Sequence, residues 1–203
     1  MSSFPKPPVR ILITEGAANT SNFSSQKNEI LTTVDLAVSA GLEMVQIREK
    51  QLPALLVYEL VSAAVELTAG SETKLLVNER FDLALACGGD GVHLTSRSIP
   101  ADRVRRFVPP EFLIGVSAHN AEDIRRARDS GADYAMLGPV FATPGKGDPL
   151  GLVELEAICR EAGAFPVIAV GGVDASNSES VIEAGAVGYA AIRYLNEFVR
   201  IQK

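Results

Sequence analysis

Short hydrophobic runs alternate with helical patterns eight times along this chain, and that alternation limits the fold more than any single motif. Strands are expected over residues 10–14, 44–50, 74–78, 91–94, 112–117, 135–141, 166–170 and 189–192. Helices are expected over 26–40, 53–69, 81–86, 100–108, 121–130, 152–162, 178–183 and 194–201. In the first helix Ile30, Leu31, Val34 and Val38 recur at helical spacing. The pairs Ala40-Gly41, Gly131-Ala132 and Ala184-Gly185 each close a helix just ahead of a strand. The sixth and seventh strands are apolar throughout, as parallel strands covered on both faces are. Such alternation suits an open doubly wound sheet or a closed α/β barrel. The count of eight, and glycines after strands six to eight, favour a compact (β/α)8 TIM barrel, close to the lower size limit at 203 residues. A single domain over 1–203 is expected, with 144–151 a loop rather than a linker, and a long polar loop over 15–25.

The totals narrow the function. With 47% hydrophobic and 22% charged residues the chain reads as globular. No apolar run approaches the ~18 residues of a membrane span. The opening Met1–Arg10 carries three prolines and no apolar core, unlike a secretory signal. Cys87 and Cys159 imply neither a disulfide framework nor a metal cluster, so a reduced cytoplasmic setting is expected. A net charge of −6 argues against nucleic acid and leaves anion binding to locally placed cations. Membrane partners are not expected; a homodimer stays open.

Barrel chemistry gathers at the carboxyl ends of the strands, and those ends carry a coherent set here. On the second strand Gln46, Arg48 and Lys50 share one face, opposite Val45 and Ile47. That face is costly in a core unless it opens onto a polar site. The alternative is two cations in ordinary ion pairs, with Glu49 close at hand. The third strand contributes Asn78 and Glu79, the fifth Ser117 and His119, and the sixth loop Thr143 and Lys146. Gly171 and Gly172 follow the seventh strand, and Ile192 and Arg193 end the eighth. Four cations (Arg48, Lys50, Lys146, Arg193) at one mouth imply an anionic ligand. The Gly171-Gly172 amides and the start of the last helix suit a phosphate; the competing readings are a tight turn alone for the glycine pair and a mobile loop for Lys146. His93 reads as structural. His119 suits a proton shuttle near neutral pH, or a capping role.

Several stretches then resemble the thiamine phosphate synthases and their sister group, the TenI-type thiazole tautomerases. They are Val45-Gln-Ile-Arg-Glu-Lys50, Leu75-Leu-Val-Asn-Glu-Arg80, Gly89-Asp-Gly-Val-His-Leu94 and Ile114-Gly-Val-Ser-Ala-His119. Gly131-Ala-Asp-Tyr134, Gly138-Pro-Val-Phe-Ala-Thr143 with Lys146, and Val170-Gly-Gly-Val173 continue the series in register. The resemblance implies that Gln46 contacts an aminopyrimidine. It implies that Arg48, Lys50, Asn78, Ser117 and Lys146 hold pyrophosphate, and that Thr143 meets the thiazole. Gly172 and the amides around Ile192 and Arg193 would hold the thiazole phosphate. In the synthases magnesium assists pyrophosphate departure, and the thiazole nitrogen captures the pyrimidine-methyl cation.

Departures from the pattern shape the expectation. The synthases carry Asn-Asp where this chain has Asn78-Glu79, and an Asp where it has Ser98. Arg193 replaces a small serine, and Pro149-Leu150-Gly151 is a form associated with the tautomerase branch. With Glu79 the remaining metal carboxylate, a tautomerase needing no cofactor is the leading expectation, His119 moving the proton. A magnesium-dependent synthase is the second expectation and a non-catalytic binder the third. In every case the partners are small phosphorylated heterocycles.

Overall fold

The computed structural model describes residues 4–201; the first three and last two positions of the expected 1–203 domain lie outside the described residues. Sixteen elements alternate strictly. They run β1 (Val9–Ile13), α1 (Phe23–Ser39), β2 (Met44–Ile47), α2 (Ala54–Thr68), β3 (Lys74–Asn78), α3 (Phe81–Cys87), β4 (Gly91–Leu94) and α4 (Ala101–Val104). Then follow β5 (Leu113–Ala118), α5 (Ala121–Asp129), β6 (Tyr134–Leu137), α6 (Gly151–Ala162), β7 (Val167–Val170), α7 (Ser178–Glu183), β8 (Gly188–Ala191) and α8 (Arg193–Ile201). Every strand is parallel to its neighbours, and β1 pairs with β8 to close the barrel. No helix among the described residues is long and apolar enough to cross a membrane.

Strand parity divides the core in two. Inward positions, Ile11, Ile13, Met44, Leu76, Leu113, Tyr134, Met136 and Ile168, fill the barrel. Outward positions such as Leu12, Val45, Leu75 and Ile114 pack beneath the helices with Val34, Leu60 and Val61. Gly115 shows how tightly the interior is filled. A Cβ there would lie 2.1 Å from the Tyr134 ring, so only glycine lets the ring cross the barrel.

An acid immediately before each of three strands fastens the lower rim. Glu43 accepts from the Arg10 amide and side chain, Asp90 from the Leu75 amide and Lys74, and Asp133 from the Ile114 amide and Arg105. Each acid therefore ties an even strand to the odd strand before it.

Three expected boundaries change where they matter. The second strand stops at Ile47 rather than Lys50, so Arg48 and Lys50 stand beyond the strand. The sixth stops at Leu137 rather than 141, freeing residues 138–150 as a mouth loop. The polar loop after β1 is shorter than 15–25, because α1 begins at Phe23.

Candidate functional site

Gln46 points into the barrel at 1% exposure, its amide Nε2 donating to Asn78 Oδ1 at 3.1 Å. Asn78 Nδ2 in turn donates to Glu79 Oε2 at 3.1 Å. The run of amides ends on a carboxylate that also accepts from the hydroxyls of Thr95 and Ser98 in the β4–α4 loop. The Thr95 bond, followed by the nearby charge of Lys50 among other contributions, holds the Glu79 carboxyl below its ordinary range. Glu79 is the one non-glycine with positive φ, 61°, among the described residues. A left-handed glutamate is strained by about 1–2 kcal/mol, and such strain gathers at functional positions.

Arg48 and Lys50 follow the β2 end and bring positive charge to the same mouth, where both also lower the His93 pKa. The alternative, in which Glu49 pairs with these cations, does not hold. Its side chain turns inward at 6% exposure and accepts from Thr14 Oγ1 (2.6 Å), Ala18 N (2.9 Å) and Gly16 N (3.2 Å). Thr14 Oγ1 accepts from the Arg48 amide at 2.8 Å, so one carboxyl organises the β1–α1 loop and the base of Arg48 together. Asn19 and Asn22 knit the same loop through bonds with each other and with Ser21 and Ala17.

His93 lies in the barrel interior at 3% exposure, with Nε2 3.0 Å from Ser117 Oγ. Burial pushes its pKa down to about 4, with Arg48 and Lys50 adding to the shift and Glu79 opposing it. His119 behaves differently. It is exposed at the top of β5, and its Nδ1 lies 2.6 Å from the Gly138 carbonyl oxygen. A carbonyl only accepts, so Nδ1 carries a hydrogen, and in the neutral ring Nε2 is the nitrogen left with a lone pair.

The far side of the mouth is built from β6 to α8. Thr143 Oγ1 donates to the Phe141 carbonyl at 2.9 Å, and the Lys146 amide donates to the Thr143 carbonyl at 3.1 Å. Lys146 itself is exposed. Gly171 and Gly172 have φ of 95° and 66°, and pack so close to Pro139 and Phe141 that a Cβ on either would lie 2.7 Å from them. The pair is thus demanded by a tight turn, whatever else it does. Ile192 precedes α8 and Arg193 opens it; both are exposed. Buried Asn196 donates to the carbonyls of Ile13 (2.9 Å) and Ile192 (2.7 Å), pinning the first turn of α8 to the end of β1.

All these residues lie at or beyond the carboxyl ends of parallel strands, hence on one rim of the closed barrel. Hydrogen bonds join Gln46, Asn78 and Glu79, and separately Ser117 to His93. Thr143, Lys146, Gly171, Gly172, Ile192 and Arg193 share the rim without a hydrogen bond to that cluster among those described. Sequence reasoning missed Thr14, Thr95 and Asn196 as supports, and treated Glu49 only as a counter-ion. An acid between two cations, and the hydroxyl-rich Thr95-Ser96-Arg97-Ser98, were the available signals.

Comparison with known proteins gives a consistent picture. The family described as thiamine monophosphate synthase matches residues 12–195. A thiamine-phosphate synthase of Gloeobacter violaceus is 42% identical over 172 residues, covering 84% of this chain and 50% of that protein. Another, from a Roseiflexus species, is 43% identical over 162 residues, covering 78% and 68%. The chain thus spans half the length of the Gloeobacter relative. Among solved structures, a thiamine phosphate pyrophosphorylase from Pyrococcus furiosus superposes with a TM-score of 0.80 at 27% identity, covering 94% of this chain and 91% of that one.

Proposed function

Because the chain belongs to the thiamine monophosphate synthase family, we propose that it joins a hydroxymethylpyrimidine diphosphate to a thiazole phosphate. Diphosphate departs with the electrons of the methylene C–O bond, and the thiazole nitrogen supplies the pair for the new C–N bond. The observation that carries this reading is the run Gln46–Asn78–Glu79, which links an amide inside the barrel to an ionised carboxylate at the mouth beside Lys50. It couples a group suited to an aminopyrimidine with a carboxylate beside Lys50 that would meet the diphosphate end of the same molecule through a bound cation. Arg48, Lys50, Lys146 and the Ser117 hydroxyl neutralise charge growing on the departing diphosphate. Thr143 faces the thiazole, while Gly171, Gly172 and the amides at Ile192 and Arg193 hold its phosphate. This revises the sequence expectation, in which the tautomerase came first; relatives of about 40% identity carry the synthase name.

The family's reaction calls for magnesium. No group of three His, Cys, Asp or Glu side chains among the described residues is placed to hold a metal. Glu79 with the hydroxyls of Thr95 and Ser98 nonetheless offers an all-oxygen set containing one carboxylate. That set fits magnesium, which commonly takes one or two carboxylates and otherwise water and substrate phosphates. When bound it supplies charge neutralisation on the diphosphate, and Glu79 would be its protein ligand.

A second reading has its own support. Anchored through Nδ1, His119 presents a basic Nε2 suited to moving a proton on a carboxythiazole phosphate. Incubation with both heterocycle phosphates, with and without magnesium, tests the two. The expected result is magnesium-dependent thiamine phosphate that survives His119→Ala. Isomerised carboxythiazole phosphate without condensation, lost in His119→Ala, would replace the first reading with the second. Loss of neither activity, because neither exists, would make the barrel a binder.

A further inference from the structure

The pair His93 and Ser117 carries a consequence for how the hydroxyl is used. His93 Nε2 is 3.0 Å from Ser117 Oγ, while Nδ1 is buried with no hydrogen-bond partner. Deep in the barrel and bonded to no acid, the ring is neutral and carries one N–H. The two tautomers have unequal consequences. A hydrogen on Nδ1 leaves a donor buried without an acceptor, and turns the Ser117 hydroxyl hydrogen back toward the barrel. A hydrogen on Nε2 satisfies the N–H on Ser117 Oγ and leaves only a lone pair at Nδ1. Orphaned buried donors are rarer than orphaned acceptors, which favours the second.

We propose that His93 is a positioning residue: as its Nε2–H tautomer it donates to Ser117, so that the Ser117 hydroxyl hydrogen is directed outward to an anionic ligand oxygen. The inference rests on the reading above, in which Ser117 meets the diphosphate. It gives work to a histidine that the sequence marked only as structural.

The test uses inorganic diphosphate with magnesium as the probe and calorimetric affinity as the readout. Ser117→Ala is expected to weaken binding roughly tenfold, the lower end for a hydrogen bond to a charged group. His93→Leu is expected to weaken it by a similar factor and to add nothing in the Ser117→Ala background. His93→Gln, whose amide nitrogen replaces the Nε2 donor, is expected to recover most of the loss. Nitrogen NMR of the unmodified protein provides a reading that needs no variant. With two histidines in the chain, His119 should show hydrogen on Nδ1 and His93 on Nε2. Hydrogen on His93 Nδ1, or equal weakening by His93→Leu with and without Ser117, overturns the proposal while leaving the diphosphate reading intact. Failure of the unmodified protein to bind diphosphate overturns both.

Discussion

Replacing Glu49 by alanine removes one carboxyl and strands three donors. The Thr14 hydroxyl at 2.6 Å and the Ala18 amide at 2.9 Å lie in buried surroundings, while the Gly16 amide at 3.2 Å is half-exposed and can turn to water. A buried donor left unsatisfied costs about 1–3 kcal/mol, so the two buried ones together suggest a loss of about 3–4 kcal/mol. Relief of the desolvation of Glu49 trims that to about 3 kcal/mol. With a urea slope of about 2.5 kcal/mol/M, the unfolding midpoint should fall by about 1.2 M. Glu49→Gln keeps the volume and one acceptor oxygen but sets an NH2 group among donors, and should lose about half as much. Because Thr14 also holds the Arg48 amide, both variants should weaken diphosphate binding although Glu49 lies behind the site. Equilibrium urea unfolding by circular dichroism measures the first effect and calorimetry the second. A Glu49→Ala midpoint within about 0.2 M of the parent, equivalent to about 0.5 kcal/mol, would refute the reasoning.

Three further outcomes follow from the same geometry. Thr95→Val removes the hydroxyl chiefly responsible for lowering the Glu79 pKa, so its stability deficit should be full at neutral pH. As pH falls through the ordinary glutamate value of 4.5 toward the lowered one, the deficit should shrink; one that grows instead contradicts the assignment. Gly115→Ala should unfold the barrel or cost several kcal/mol, and Tyr134→Ala in the same chain should restore folding by circular dichroism, since the clash is with that ring. Glu79→Gly exchanges the bonds from Asn78, Thr95 and Ser98 for relief of left-handed strain, so stability should stay within about 1 kcal/mol while condensation is lost.

Much of the architecture could be read from the chain because each βα unit is short and punctuated by its own glycine and apolar run. Where reading failed, the deciding contact ran between neighbouring βα units, far apart in sequence. Charged residues after Ile47 keep the parity of the strand, so nothing local marks its end; the stop reflects Glu49 turning inward to Thr14, thirty-five positions away. His93 and Ser117 both face inward by parity. Their proximity depends on β4 and β5 pairing His93 with Gly115, two residues short of Ser117, a register that composition does not reveal. Ser98 was judged as a missing carboxylate; folded, its hydroxyl and that of Thr95 hold the carboxylate that remains.

The acids at the lower rim have an architectural corollary. Glu43, Asp90 and Asp133 each clasp an odd strand to the even one that follows, making three self-contained two-strand modules from β1 to β6. A chain severed in the segment between Arg105 and β5 would keep every clasp from an acid to a strand amide inside one fragment, and only the Arg105 contact to Asp133 would cross the cut. The two fragments would thus bring prefabricated edges to one another, whereas a cut between β3 and β4 would divide the Asp90 module between the pieces.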